Sequence, residues 1–163
     1  MKRNKKIILL SHCILNQNSV VKLLARAKGA YNMVIEKIIR SNIGIIQLPC
    51  PEFLFLGENR LPKTKEEYDN RDYRILCENL IRNIQKQIIE YMKNGYKIIG
   101  IIGIEESPSC GLVKNQGIFM EVLLASLDNL NINIPKLEIP TSYHEERANE
   151  FFLSNLDKFL NIK

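Results

Sequence analysis

Strand and helix alternate along this chain, which predicts a single α/β domain over residues 1–163 with an open parallel sheet, strand order 2-1-3-4 and helices on both faces. Three observations carry that reading. Four short apolar runs rich in isoleucine are spread over the 163 residues, each followed by a stretch with helical spacing. The third run, Lys97–Ile104, is apolar at nearly every position, as a strand covered on both faces must be. Successive parallel strands need crossover connections, and right-handed crossovers leave few other arrangements.

Each element has its own signal. Lys6–Leu10 is a buried first strand that stops at Ser11-His12-Cys13. Residues 16–29 begin polar and read as a loop with a short helix. Met33, Val34, Ile38 and Ile39 recur at helical spacing over 30–40. The second strand, 43–48, is halted by Pro49-Cys50-Pro51, and the proline- and glycine-bearing stretch 51–69 reads as a long loop. Leu76, Leu80, Ile81, Ile84, Ile88 and Met92 make the stripe of the longest helix, 72–94, and Gly95 stops it. Ser107-Pro108-Ser109-Cys110-Gly111 is the turn after the third strand, followed by a helix over 118–130 and a short fourth strand over 135–139. Thr141 or Ser142 then caps the last helix, Ser142 and Glu145 having capping-box spacing, with Phe152, Leu156, Phe159 and Leu160 as its core face. The pattern is Rossmann- or flavodoxin-like, but no glycine fingerprint for a dinucleotide or a P-loop follows the first or third strand.

Composition narrows the function. An apolar share of 45% and a charged share of 25% are globular values. The net charge of +5 comes from scattered lysines, only 1–6 being a basic cluster, and tryptophan is absent; this argues against a nucleic-acid partner. The apolar run behind that basic start ends at Ser11, too short for a signal peptide, and no stretch approaches the roughly 20 apolar residues of a membrane span. The expected location is the cytoplasm, where the four cysteines stay reduced and read as ligands, nucleophiles or core residues.

Cys13, Cys50 and Cys110 follow the first, second and third strands. Ligands of open α/β sheets sit outside the carboxyl ends of the strands where the order reverses. Neighbouring strands lie about 4.8 Å apart, so in the order 2-1-3 the three thiols are expected to converge on one metal-sized spot. Pro49 and Pro51 restrict the backbone around Cys50, and Gly111 permits a tight turn after Cys110. A lone cysteine is most often a small buried hydrophobe. That is the reading for Cys77, on the apolar side of the long helix. Three cysteines at three successive strand ends are a different pattern.

Ser11-His12-Cys13-Ile14-Leu15, Pro49-Cys50-Pro51-Glu52 and Ser107-Pro108-Ser109-Cys110-Gly111 together resemble the DUF523-type thiouracil desulfurase family and its desulfidase relatives. The resemblance implies a [4Fe-4S] cluster held by Cys13, Cys50 and Cys110, with the fourth iron free of protein ligands. An open iron is a soft Lewis acid for a substrate's sulfur, so the implied activity is removal of sulfur from a small thiolated compound. Glu52 is the first candidate for moving protons. Ser109 is a candidate donor to substrate or cluster, and Ser107 a residue that shapes the turn. Asn16-Gln17-Asn18-Ser19 and Phe53-Leu54-Phe55-Leu56-Gly57 depart from that family's glycine-bearing loops, so thiouracil itself does not carry over. Three alternatives stay open: a Cys110 nucleophile with His144 as base and Glu52 or Glu145 as orienter, a three-cysteine zinc site, or a metal- or sulfur-binding sensor without turnover. His12 neighbours Cys13 but points to the other side and is not expected to be a co-ligand.

Overall fold

The computed structural model describes residues 1–161. Four parallel strands, β1 (Lys6–Leu10), β2 (Gly44–Gln47), β3 (Lys97–Ile104) and β4 (Lys136–Ile139), form an open sheet in the order β2-β1-β3-β4. This is the order expected from the sequence. β3 is central and buried from Ile98 onward, and all of β1 after Lys6 is buried, which is why both read as continuous apolar runs. Helices α2 (Asn32–Arg40) and α7 (Glu150–Leu160) pack together, as do α5 (Arg71–Lys93) and α6 (Ile118–Asp128). Gly100 of β3 is where Phe159 of α7 meets the sheet; a Cβ there would strike that ring.

Two expectations need correction, and the loop with a short helix over 16–29 is refined. The stretch 51–69 is not a plain loop: it holds α3 (Pro51–Leu56) and α4 (Lys65–Tyr68). Pro51 occupies the first turn of α3, where its missing N–H is harmless, and Gly57, at φ 78°, ends the helix. Thr64 and Glu67 form a full capping box on α4. Residues 16–29 hold two short 3₁₀ turns, Gln17–Ser19 and Lys22–Leu24, after a single helical turn, α1 (His12–Leu15). The last helix starts at Glu150, and Ser142 with Glu145 forms no capping box. The Glu145 carboxylate instead accepts from the distant Met33 amide (2.9 Å) and from the nearby Tyr143 hydroxyl (2.7 Å).

The turn after β3 is packed onto glycines. A Cβ on Gly103 would collide with the Cys110 carbonyl and the Leu112 side chain, one on Gly117 with the Ser109 carbonyl and Cys110 amide, and one on Gly111 with the Asn115 carbonyl. Apart from the Leu112 side chain, these are backbone obstacles that cannot swing aside. Gly103→Ala is therefore expected to cost about 1–3 kcal/mol or more and to lower the urea midpoint. Gly29→Ala, where nothing lies within 4 Å, is expected to stay within about 0.5 kcal/mol of the parent. Equal midpoints for the two variants would show that the turn does not rest on Gly103.

Candidate functional site

The carboxyl edge of the sheet carries a cavity of about 360 Å³ whose wall includes Cys13, Cys50 and Cys110. Cys13 lies in α1, the turn of helix that β1 feeds directly. Cys50 occupies the N-cap position of α3, held extended between its two prolines (φ −90°, ψ 105°). Cys110 sits in the turn after β3: its amide donates to Ser107 Oγ (3.0 Å), and its carbonyl accepts from Ile104 (3.0 Å). The Gly111 amide also donates to the Ser107 carbonyl (3.1 Å), which makes Ser107 the residue that shapes the turn.

One detail differs from the sequence expectation. Among the described residues no three His, Cys, Asp or Glu side chains are placed to grip a single metal ion. The thiols share one cavity, where a helical turn, an N-cap and a loop present them instead of three bare strand ends.

Burial raises all three thiols above their ordinary range. Cys13 is pushed up to about 12, by burial first and then by Cys50. Cys110 is raised well above its ordinary range, by burial and then by Cys13 and Cys50, and Cys50 is raised by burial. Cys110 thus feels both other cavity thiols and Cys13 feels Cys50, which places the three in one electrostatic environment. Arg26 lowers Cys13 and Arg60 lowers Cys50 against this trend. Cys77 is fully buried in α5 and does not line the cavity, as its helical phase implied.

Glu52 also lines the cavity, with its side chain 13% exposed. Arg60 Nε stands 3.6 Å from its Oε2, and the Tyr68 hydroxyl donates to the same oxygen at 3.4 Å. The Arg60 side chain is only 3% exposed and also donates to the Ser19 carbonyl (2.7 Å) and the Gly57 carbonyl (3.1 Å). One buried cation thereby fixes the carboxylate, the 3₁₀ turn after α1 and the end of α3. Sequence reading missed Arg60 because nothing local marks an arginine that will be buried.

It also missed Gln17, Arg26 and Tyr31. Gln17 donates to the Cys13 carbonyl (2.8 Å) and accepts from the Arg26 amide (2.9 Å), joining the Cys13 turn to Arg26. The Arg26 guanidinium donates to the Pro140 carbonyl and lies over the Tyr31 ring, 5.7 Å from its centroid. Arg26 and Tyr31 form part of the cavity wall with Val20, Val21 and Leu24. The polar start of segment 16–29 was the available signal.

Ser109 does not face the cavity. It is 1% exposed, and its hydroxyl lies 2.6 Å from the Tyr73 hydroxyl of α5, anchoring the turn to that helix. His144 is in the loop before α7; its Nδ1 accepts from the Glu146 amide (3.3 Å), and it is not part of the cavity wall. His12 is likewise outside that wall, and burial lowers its pKa. Among the described residues no helix is long and apolar enough to cross a membrane.

No family model and no solved structure matches the chain. Over 158 residues, 97% of this chain and 99% of the relative, it is 48% identical to the uncharacterized protein MJ0003 of Methanocaldococcus jannaschii. At that identity over nearly the full length of both, the chain belongs to the family of MJ0003.

Proposed function

We propose that the protein is a [4Fe-4S]-dependent desulfidase acting on a small thiolated compound, with Cys13, Cys50 and Cys110 as the cluster ligands. The observation that carries this reading is three thiols on the wall of one cavity that also holds a fixed carboxylate, Glu52. Thiols that share a cavity yet form no single-ion site among the described residues suit a multi-iron cluster, which is wider than one ion. Soft thiolates are its usual ligands. Bound there, the cluster supplies an open iron that draws electrons from a substrate's sulfur.

The chain's own residues do the rest. A cysteine ligates iron as its thiolate, so loading removes the protons that burial otherwise keeps on the three cysteines. Arg26 and Arg60 place positive charge beside the ligands. Val20, Val21, Leu24 and Tyr31 give the substrate an apolar wall that limits water. Glu52 takes a proton from the attacking water and returns it to the departing sulfur. The net reaction is thiocarbonyl plus water to carbonyl plus hydrogen sulfide. Cys110 as a lone nucleophile is less favoured, since His144 is not part of its cavity and Glu145 is engaged by Met33 and Tyr143.

Purification without oxygen tests the proposal. The expected result is a brown protein, bleached by dithionite, that releases sulfide from a thiolated base or a related thio-compound. A colourless protein after attempted reconstitution would overturn it. A brown protein inert toward a panel of thio-compounds would leave the cluster standing and replace the enzyme with a sensor or carrier.

A further inference from the structure

Arg26 is half-buried in the cavity wall, and among the described residues no carboxylate lies within ion-pair distance of its guanidinium. The other arginines without such a partner, Arg3, Arg71, Arg82 and Arg147, are all exposed, where water solvates the charge. Arg60 and Arg74, the ones withdrawn from solvent, have theirs in Glu52 and in Asp69 with Glu121. A charge taken out of water calls for a counter-charge. A half-buried guanidinium that lines a cavity without one marks a place for an anion from outside.

The residue is held before any ligand arrives. Its amide donates to Gln17 Oε1 (2.9 Å), its carbonyl accepts from the Glu145 amide (3.0 Å), and Nη1 donates to the carbonyls of Pro140 and Tyr143. Both side-chain bonds leave from Nη1, so the Nε and Nη2 edge makes no hydrogen bond among the described residues. That edge is the parallel pair of donors that matches a carboxylate or a phosphate. Gln17 also donates to the Cys13 carbonyl (2.8 Å), which ties Arg26 to the turn carrying that thiol. The carboxylates of the wall are engaged elsewhere or solvated. Glu52 faces Arg60, Glu105 accepts from the Thr141 amide (2.8 Å) and stands 3.6 Å from Lys114 Nζ, and Glu106 is exposed.

We propose that Arg26 binds an anionic oxygen group of the substrate, a carboxylate or a phosphate, so that small thio-compounds bearing a negative charge are used in preference to neutral ones; this rests on the reading of the cavity as a desulfidase site. A cation fixed in advance loses little freedom on binding. A neutral analogue in the same place leaves the guanidinium shielded from water and unpaired, and is discriminated against for that reason.

The test is the ratio of kcat/KM values within two matched pairs on anaerobically loaded protein: a carboxylated thiouracil against its methyl ester, and thiouridine monophosphate against thiouridine. Wild type is expected to prefer the anionic member of at least one pair, and Arg26→Gln to reduce that ratio by roughly 10–100-fold. Arg26→Lys, which keeps the charge without the fork, is expected to fall between them, and it carries the comparison if the glutamine variant fails to fold. Were Arg26 to serve only the charge of the cluster, both members of a pair would lose turnover together; an unchanged ratio therefore overturns the proposal. Equal use of both members of each pair by wild type overturns it as well. Calorimetry with the sulfur-free carboxyuracil and uridine monophosphate is independent of turnover, and weaker binding in the Arg26 variants is expected there. A wild type that loads no iron or releases no sulfide overturns the desulfidase reading, and the calorimetry then decides this proposal alone: equal binding by wild type and variants, or none by wild type, overturns it.

Discussion

Replacing Cys13, Cys50 or Cys110 by serine is expected to abolish or severely weaken cluster assembly and to eliminate turnover, while Cys77→Ala keeps iron, colour and activity. The three thiols share one cavity wall, and under the proposed reading losing any one leaves two of the three cluster ligands. Serine's hydroxyl is a poor replacement, being harder than sulfur and far less acidic. Cys77 lies fully buried in α5 away from that wall, so its removal is a packing change of order 1 kcal/mol. Iron and acid-labile sulfide on all four variants, with a melting curve for each, separate lost ligands from lost folding. Loss of the cluster with Cys77→Ala, or its survival in any of the other three, would remove the assignment.

Glu52→Gln is expected to keep the cluster spectrum while turnover falls by roughly 10²–10⁴-fold, the usual range for a group that moves protons in the transition state. The amide keeps the shape of the side chain but cannot accept a proton as the carboxylate does. Its secondary effect comes from Arg60: removing one member of a buried ion pair leaves the other charge uncompensated and destabilises the fold. Glu52→Asp separates the two roles, since it restores the charge at a shorter reach. Stability near wild type with turnover still depressed is the expected outcome there. Unchanged turnover in Glu52→Gln, measured per folded and loaded molecule, would take Glu52 out of the mechanism and leave it as the partner of Arg60.

The parts of the fold that proved legible were those written in local pattern. Continuous apolar runs marked β1 and β3, because a central parallel strand is covered on both faces and needs no polar positions. Helical phase put Cys77 in the core, since a residue three and four positions from apolar neighbours shares their face. The errors arose where local chemistry has two outcomes. Pro51 and Gly57 read as loop residues but serve as the first turn and the stop of α3. Ser142 and Glu145 have the spacing of a cap, but Glu145 found Met33 and Tyr143, more than a hundred residues away and next door respectively.

By itself the sequence determined the parallel sheet, its order and the delivery of three cysteines to one edge. These follow from strand and helix periodicities and from the handedness of crossovers, which act on any chain with this pattern. Only the tertiary structure decided how that edge is finished: Arg60 buried against Glu52, Gln17 joining the Cys13 turn to Arg26, Ser109 turned to Tyr73, and the buried Ser11 hydroxyl without a partner among the described residues. Whether a polar side chain is exposed or buried depends on what packs over it from distant segments, and no local spacing encodes that.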